Sequence, residues 1–279
     1  MFKYMKKIGL SALLALALLT GCGDGGEKQA QLHLQKAEQA LLMENFSEAK
    51  LQIDSIKMLY PKAFEARKQG IKVMQQVDLK EQTKTLAYLD SVMLVKQAQL
   101  DSIKGDFVLE KDTAYQDVGK YFYPTQTVEK SIGRSFLRGQ VTELGEMSLT
   151  SIYCAGGQLH HTSVKVSVGD LFAETPISKD SYETTDLGKT IEKSDYKIGE
   201  DGGVVGFIIA NQDKNIQLQF IGDKTYRTAM DKNDRKAIVK LADLARILSS
   251  IEEIRKQQKE ASLKIQFVSR KIEEGQSVK

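Results

Sequence analysis

The sequence predicts an α+β protein. It should have an N-terminal helical hairpin and two long helices paired as an antiparallel coiled coil. Between those helices it inserts a mainly antiparallel, β-sandwich or barrel-like domain. Three observations predict this. Apolar residues recur at helical spacing over residues 28–77. Heptad seams run through residues 79–109 and again through the C-terminal stretch. Short runs rich in Val, Ile, Thr, Tyr and Phe, punctuated by Gly, Asp and Asn, fill the region between.

Residues 28–77 come first. Leu34, Ala37, Ala40 and Leu41 make one helical face. Asn45-Phe46-Ser47 interrupts it, and Ser47 reads as the N-cap of a second helix with Glu48 in its first turn. Ala49, Ile53, Ile56 and Leu59 form that helix's face, and Pro61 stops it. The pair resembles a tetratricopeptide repeat in the spacing of Ala37, Phe46, Ala49 and Pro61, and departs from it at Lys36 and Ile56. A third helix over residues 62–77 closes the group. The next segment, 78–110, is a long helix with Leu86, Met93, Leu100 and Phe107 spaced by sevens. The last, 231–279, repeats the pattern with Leu241, Leu244, Leu248, Ile251, Ile265 and Ile272. Each helix has an apolar seam to bury and each is the other's nearest partner.

The β-domain occupies 111–230. Strands are expected over residues 135–142, 147–154, 161–168, 204–210, 216–221 and 225–230. The polar stretch 178–200 reads as a long loop with a short helix.

Within this domain Cys154, His160 and His161 form the one cluster with nucleophile-and-base chemistry. A turn at Ala155-Gly156-Gly157 would bring a histidine toward the thiol. Strand alternation sends adjacent histidines to opposite faces, so at most one can serve. Zinc needs three or four ligands and nothing nearby completes the set. The expected role of Cys154 is therefore structural, and neither metal nor cofactor is expected. Residues 199–206 have the composition of a glycine-rich phosphate loop, but a strand-like run follows where a helix N-terminus is required. Asp213, Asn215, Asp223, Asp231, Asn233 and Asp234 read as turn formers and a helix cap, since no calcium-loop series occurs. Tyr121, Phe122, Tyr123, Tyr153, Tyr182, Tyr196 and Tyr226 read as core packing, with sugar stacking the alternative.

The first 22 residues speak to location. Lys3, Lys6 and Lys7 precede a short apolar run over residues 8–19, too short to span a bilayer as a helix. Leu19-Thr20-Gly21-Cys22 resembles the lipobox of bacterial lipoproteins. That resemblance implies cleavage after residue 21 and a fatty-acylated, palmitate-bearing Cys22, followed by a flexible tether over 22–27. The formal charge of +3 is then carried wholly by the signal's three lysines. The near-neutral remainder has no basic stripe for nucleic acid.

The whole chain resembles a family of uncharacterised Bacteroides-group lipoproteins. The stretches that carry the resemblance are Tyr60-Pro61-Lys62-Ala63-Phe64-Glu65-Ala66-Arg67, Leu149-Thr150-Ser151-Ile152-Tyr153-Cys154, His160-His161-Thr162-Ser163-Val164-Lys165-Val166 and Asp201-Gly202-Gly203-Val204-Val205-Gly206-Phe207-Ile208. It implies location and architecture and brings no activity. The expectation is an envelope lipoprotein, anchored in the outer membrane through Cys22, acting as a binding or scaffold module for a protein or glycan partner without catalysis. Glycan capture for nutrient uptake is the first alternative. A Cys-His enzyme using Cys154 is the second.

Overall fold

The computed structural model describes residues 26–127, 130–131, 133–186 and 188–277. The signal segment and Cys22 lie outside the described residues. The fold is α+β: among the described residues there are five α-helices and two open antiparallel sheets. Neither sheet closes on itself, so the barrel-like alternative is not what forms. The chain divides into two compact units, one of residues up to Tyr88 together with Gln258 onward, the other Leu89–Gln257.

The first unit contains α1 (Glu27–Leu42), α2 (Phe46–Leu59), the start of α3 (Phe64–Ile103) and the end of α5 (Lys232–Ser277). Glu27, expected as the last residue of the tether, already opens α1, and residues 22–25 lie outside the described residues. Asn45, not Ser47, caps α2, its side-chain oxygen accepting from the Glu48 N–H at 3.2 Å. Phe46 is thereby the first helical residue. Pro61 ends the helix as expected, one residue after Tyr60. Ala30, Leu34, Ala37, Ala49, Ile56, Ala63 and Ala66 are almost wholly buried, and small residues at these crossings let the helices approach closely. Asp78 accepts from Lys264 at 3.0 Å, so α3 and α5 are neighbours here.

The expected break between residues 77 and 78 does not exist. α3 runs without interruption for 40 residues. No Pro occurs within it, and its one glycine, Gly70, sits on the buried side against Ile53, so nothing in the local chemistry stops the helix.

The second unit holds both sheets. The larger has the order β1 (Val108–Glu110), β2 (Lys120–Phe122), β3 (Phe136–Thr142), β4 (Met147–Ala155), β8 (Lys189–Lys197), β7 (Ser181–Asp186). The smaller runs β10 (Thr225–Ala229), β9 (Gln217–Ile221), β5 (Ser163–Val168), β6 (Leu171–Glu174). Leu137, Val141, Leu149 and Tyr196 of the first and Val164, Val166, Leu218 and Phe220 of the second share one buried cluster with Ile238, Leu241, Leu244 and Leu248 of α5 and Leu100 of α3. Side chains of α5 fill the space over β3 so closely that a Cβ on Gly139 would stand 2.9 Å from Leu241 Cδ1. Asp106, just past the end of α3, and Lys240, in the early part of α5, lie 4.0 Å apart.

Two sequence expectations fail in this unit. Residues 178–200 are not a loop with a helix. They form the β7–β8 hairpin, and β8 lies inside the larger sheet against β4. Residues 204–210 are not a strand but α4 (Val204–Ala210). Val204, Val205 and Ile208 face the core while Gly206 and Ile209 are exposed, a spacing of one helical turn. Asp201 starts the helix by accepting from the Val205 N–H at 2.9 Å. Gly202 permits the turn before it: its φ is +61°, and a Cβ there would lie 1.9 Å from the Glu174 carbonyl oxygen.

Candidate functional site

Strand alternation decides the fate of the Cys-His cluster. In the β4–β8 register Ser151 faces Ser194, Tyr153 faces Glu192 and Cys154 faces Ile191. Ser151, Tyr153, Glu192 and Ser194 point to the core side, and Cys154 points to the other. His161 sits on the core side. Its Nε2 is 2.8 Å from Ser151 Oγ and its Nδ1 is 3.0 Å from Glu192 Oε2. His160 pairs through Nδ1 with Glu183 Oε1 at 2.8 Å, and Glu183 is the cross-strand neighbour of Glu192. Both histidines precede β5 and serve the same side of the sheet. The expected split to opposite faces does not occur, and neither histidine is placed to activate Cys154. Cys154 is half-buried and in no disulfide, and its backbone N–H donates to Ser135 Oγ at 2.9 Å.

What the structure assembles instead is Ser151–His161–Glu192, a hydroxyl, an imidazole and a carboxylate in the order of a hydrolase relay. An ionised carboxylate only accepts, so Nδ1 carries the proton and Nε2 accepts from the serine. Glu192 is also the acceptor for three backbone amides, Leu159 at 2.6 Å, His160 at 2.9 Å and His161 at 2.8 Å. Burial by itself would raise the Glu192 carboxyl, but these amides and the imidazole outweigh it and hold the group below the usual 4.5. Burial lowers His161 from the ordinary 6.5 and keeps it neutral, against the opposing pull of Glu192. Ser194 Oγ donates to the His161 carbonyl at 2.9 Å, and Tyr196 OH donates to the Thr162 carbonyl at 3.0 Å. Every group on this face of β8 is thus bound to the segment that joins the two sheets.

Access separates such a relay from a working one. Ser151 is 0%, His161 2% and Glu192 1% exposed. Phe220 stands edge-on to the His161 ring at 5.3 Å between centroids, and Tyr153 lies at 6.3 Å. All three groups are closed off from solvent, and together they tie β4 and β8 to the segment that leads into β5.

His160, Glu183 and Glu192 also place ligand-type atoms within 4.8 Å of one another. The carboxylate chemistry argues against a cation. Four N–H donors occupy the lone pairs of Glu192, which leaves His160 and Glu183, and these bind each other. The hydrogen bond to Glu183 raises His160 above the usual imidazole value.

The glycine-rich segment has the order the sequence reading excluded, a strand followed by a glycine loop and a helix. Its helix N-terminus is nonetheless taken by the Asp201 carboxylate, so it offers no seat for a phosphate. Four of the seven rings considered for sugar stacking, Tyr121, Phe122, Tyr153 and Tyr196, are buried, while Tyr226 is exposed and packs one side on Tyr153 at 5.3 Å. Tyr182 is openly exposed and belongs to no such platform.

A concave apolar site lies in the first unit. A groove of about 620 Å³ runs between α2, the start of α3 and the end of α5. Ile53, Ile56 and Val268 form its floor. Phe64, Ile71 and Phe267 wall it and are more than half exposed. Lys57, Arg67, Lys68 and Lys271 stand at its rim with Asp54 and Asp78. The size and the apolar floor with charged rim suit a ligand or partner site. Sequence reasoning missed both this groove and the role of Ser151 and Glu192. The signal for the groove was Phe64, Ile71 and Met74, apolar at helical spacing beyond Pro61 with no further helix in sequence to cover them.

Comparison with protein-family profiles, curated proteins and solved structures gives no match for this chain.

Proposed function

We propose that this chain is a lipid-anchored lipoprotein of the bacterial cell envelope that works as a binding and scaffold module, without catalysis, and that the first unit's groove is where it binds. The groove carries the reading. It exposes Ile71 and Phe267 around a buried apolar floor, an arrangement that water disfavours and a partner relieves. The closure of Ser151, His161 and Glu192 supports a structural use of that nucleophile-base-acid series. The anchor rests on the basic-apolar-lipobox order that ends at Cys22.

Two measurements test it. Fatty-acid labelling in cells should mark the native protein and not Cys22→Ser; label that persists in the variant defeats the anchor. A photo-crosslinking residue at Ile71 should capture a defined envelope component, and the same residue at Tyr88 should not. Equal capture at both positions would show that the groove confers no selectivity.

A further inference from the structure

The turn between α2 and α3 carries an unusual mixture. Met58 is 76%, Leu59 63% and Phe64 72% exposed. Between and beside them, residues 57–68 hold four cations, Lys57, Lys62, Arg67 and Lys68, against one acid, Glu65. Pro61 ends α2 and the Arg67 guanidinium donates to the Pro61 carbonyl at 2.7 Å, so the corner is a built turn. Apolar tips flanked by cations are the composition of a surface that sits in the headgroup layer of an anionic bilayer.

The start of α1 is fixed to this same corner. Glu27 Oε1 accepts from the Ala66 N–H at 2.8 Å. Gly26 lies against the Tyr60 ring, so close that a Cβ would stand 2.7 Å from Cδ1. Cys22 is four residues before Gly26, and four residues of chain reach at most about 14 Å. A diacylglyceryl group on Cys22 therefore holds Tyr60, and with it Met58, Leu59 and Phe64, near the bilayer surface.

We propose that the α2–α3 corner is a second membrane contact: Met58, Leu59 and Phe64 insert into the interfacial layer of an anionic phospholipid bilayer while Lys57, Lys62 and Lys68 meet its headgroups. This rests on the lipid-anchor reading above. The two acyl chains of a diacylglyceryl group already anchor the chain, and the corner adds apolar and ionic contact beside them. The contact also orients the unit, because a point anchor leaves rotation free and a corner does not.

The sequence contains no Trp, so one introduced Trp reports without background. Full-length lipidated Phe64→Trp protein, extracted from envelopes and reconstituted into phosphatidylethanolamine–phosphatidylglycerol vesicles with brominated acyl chains, should show blue-shifted and strongly quenched fluorescence. Tyr88→Trp is the control. Tyr88 is 68% exposed and lies 24 residues further along α3, about 36 Å away at 1.5 Å per residue. It should keep at least nine-tenths of its emission. Fatty-acid labelling of the same preparation reads the anchor separately. Unquenched Phe64→Trp in labelled protein overturns the corner contact and spares the anchor. Absence of label removes the anchor and the contact with it. A blue shift without quenching would mean that protein covers Phe64, and equal quenching at both positions would mean that the unit lies flat; each overturns the proposal.

Discussion

Glu192→Gln removes one carboxylate oxygen from the centre of the second unit and puts an NH₂ in its place. Four N–H groups converge on the native carboxylate, two on each oxygen: Leu159 and His160 on Oε1, the His161 amide and Nδ1 on Oε2. Whichever way the amide turns, two of these donors face a donor. An unsatisfied buried donor costs about 1–3 kcal/mol, so the pair costs about 2–6 kcal/mol. For a domain of this size each kcal/mol moves Tm by about 2–4 °C, which gives a fall of at least about 4 °C. The assay is thermal and urea unfolding of the full chain, followed by near-ultraviolet signals from the tyrosines around His161. The pH profile adds a second readout. Glu192 titrates below its ordinary 4.5 in the folded protein, so the unfolded chain takes up the proton first. Its stabilisation is present above that pH and is lost as pH falls through the folded value. His161 is also held low, so stability begins to decline below its ordinary 6.5, where only the unfolded chain is protonated. Glu192→Gln should flatten the lower part of this decline and leave the upper part. A variant within about 0.5 kcal/mol of the native protein would refute the clamp, because ordinary surface substitutions change stability by no more than that.

Two further predictions follow from the packing. Leu100→Ala and Leu248→Ala each open the buried cluster of the second unit and should each destabilise by about 2–5 kcal/mol in urea unfolding; if both were silent, the helical seams would not be part of that core. Alkylation of Cys154 at neutral pH should be slow in the folded protein, fast after denaturation, and unchanged by His161→Ala once stability is matched, since thiol and imidazole lie on opposite faces of β4. Faster reaction that vanishes in the His161 variant would restore a cysteine-histidine pair.

Much of the fold is legible in the residues, and the failures share a cause. β3, β4, β5 and β9 each bury apolar side chains at alternate positions, so their period is visible. β8 alternates just as strictly, but the residues it turns inward are Glu192, Ser194 and Tyr196. Hydrophobic periodicity is blind to a strand whose buried face is satisfied by hydrogen bonds, and the same blindness hid Glu192 from the search for a site. α4 misleads in the opposite direction. Val-Val-Gly-Phe-Ile-Ile has strand composition, and what makes it a helix is the Asp201 cap together with a core that accepts Val204, Val205 and Ile208 on one face. The continuity of α3 was hidden because the seam was sought from residue 79, although nothing before it breaks the helix. The groove was only partly readable, since its far wall, Phe267 and Val268, comes from the other end of the chain.

The polar inner face of β8 has a consequence for how the larger sheet assembles. An edgewise shift of β8 by one residue would carry Lys193 and Asp195 inside, which any apolar strand would also forbid for its own charges. A shift by two is the slip that a uniform Val or Ile strand tolerates, since like replaces like. Here it would set Glu192 opposite Ser151 or push it past Tyr153, away from the three amides at residues 159–161 that it has to meet. The carboxylate therefore works as a lock with one keyed position, and the hairpin of β7 and β8 can dock on β4 in a single alignment.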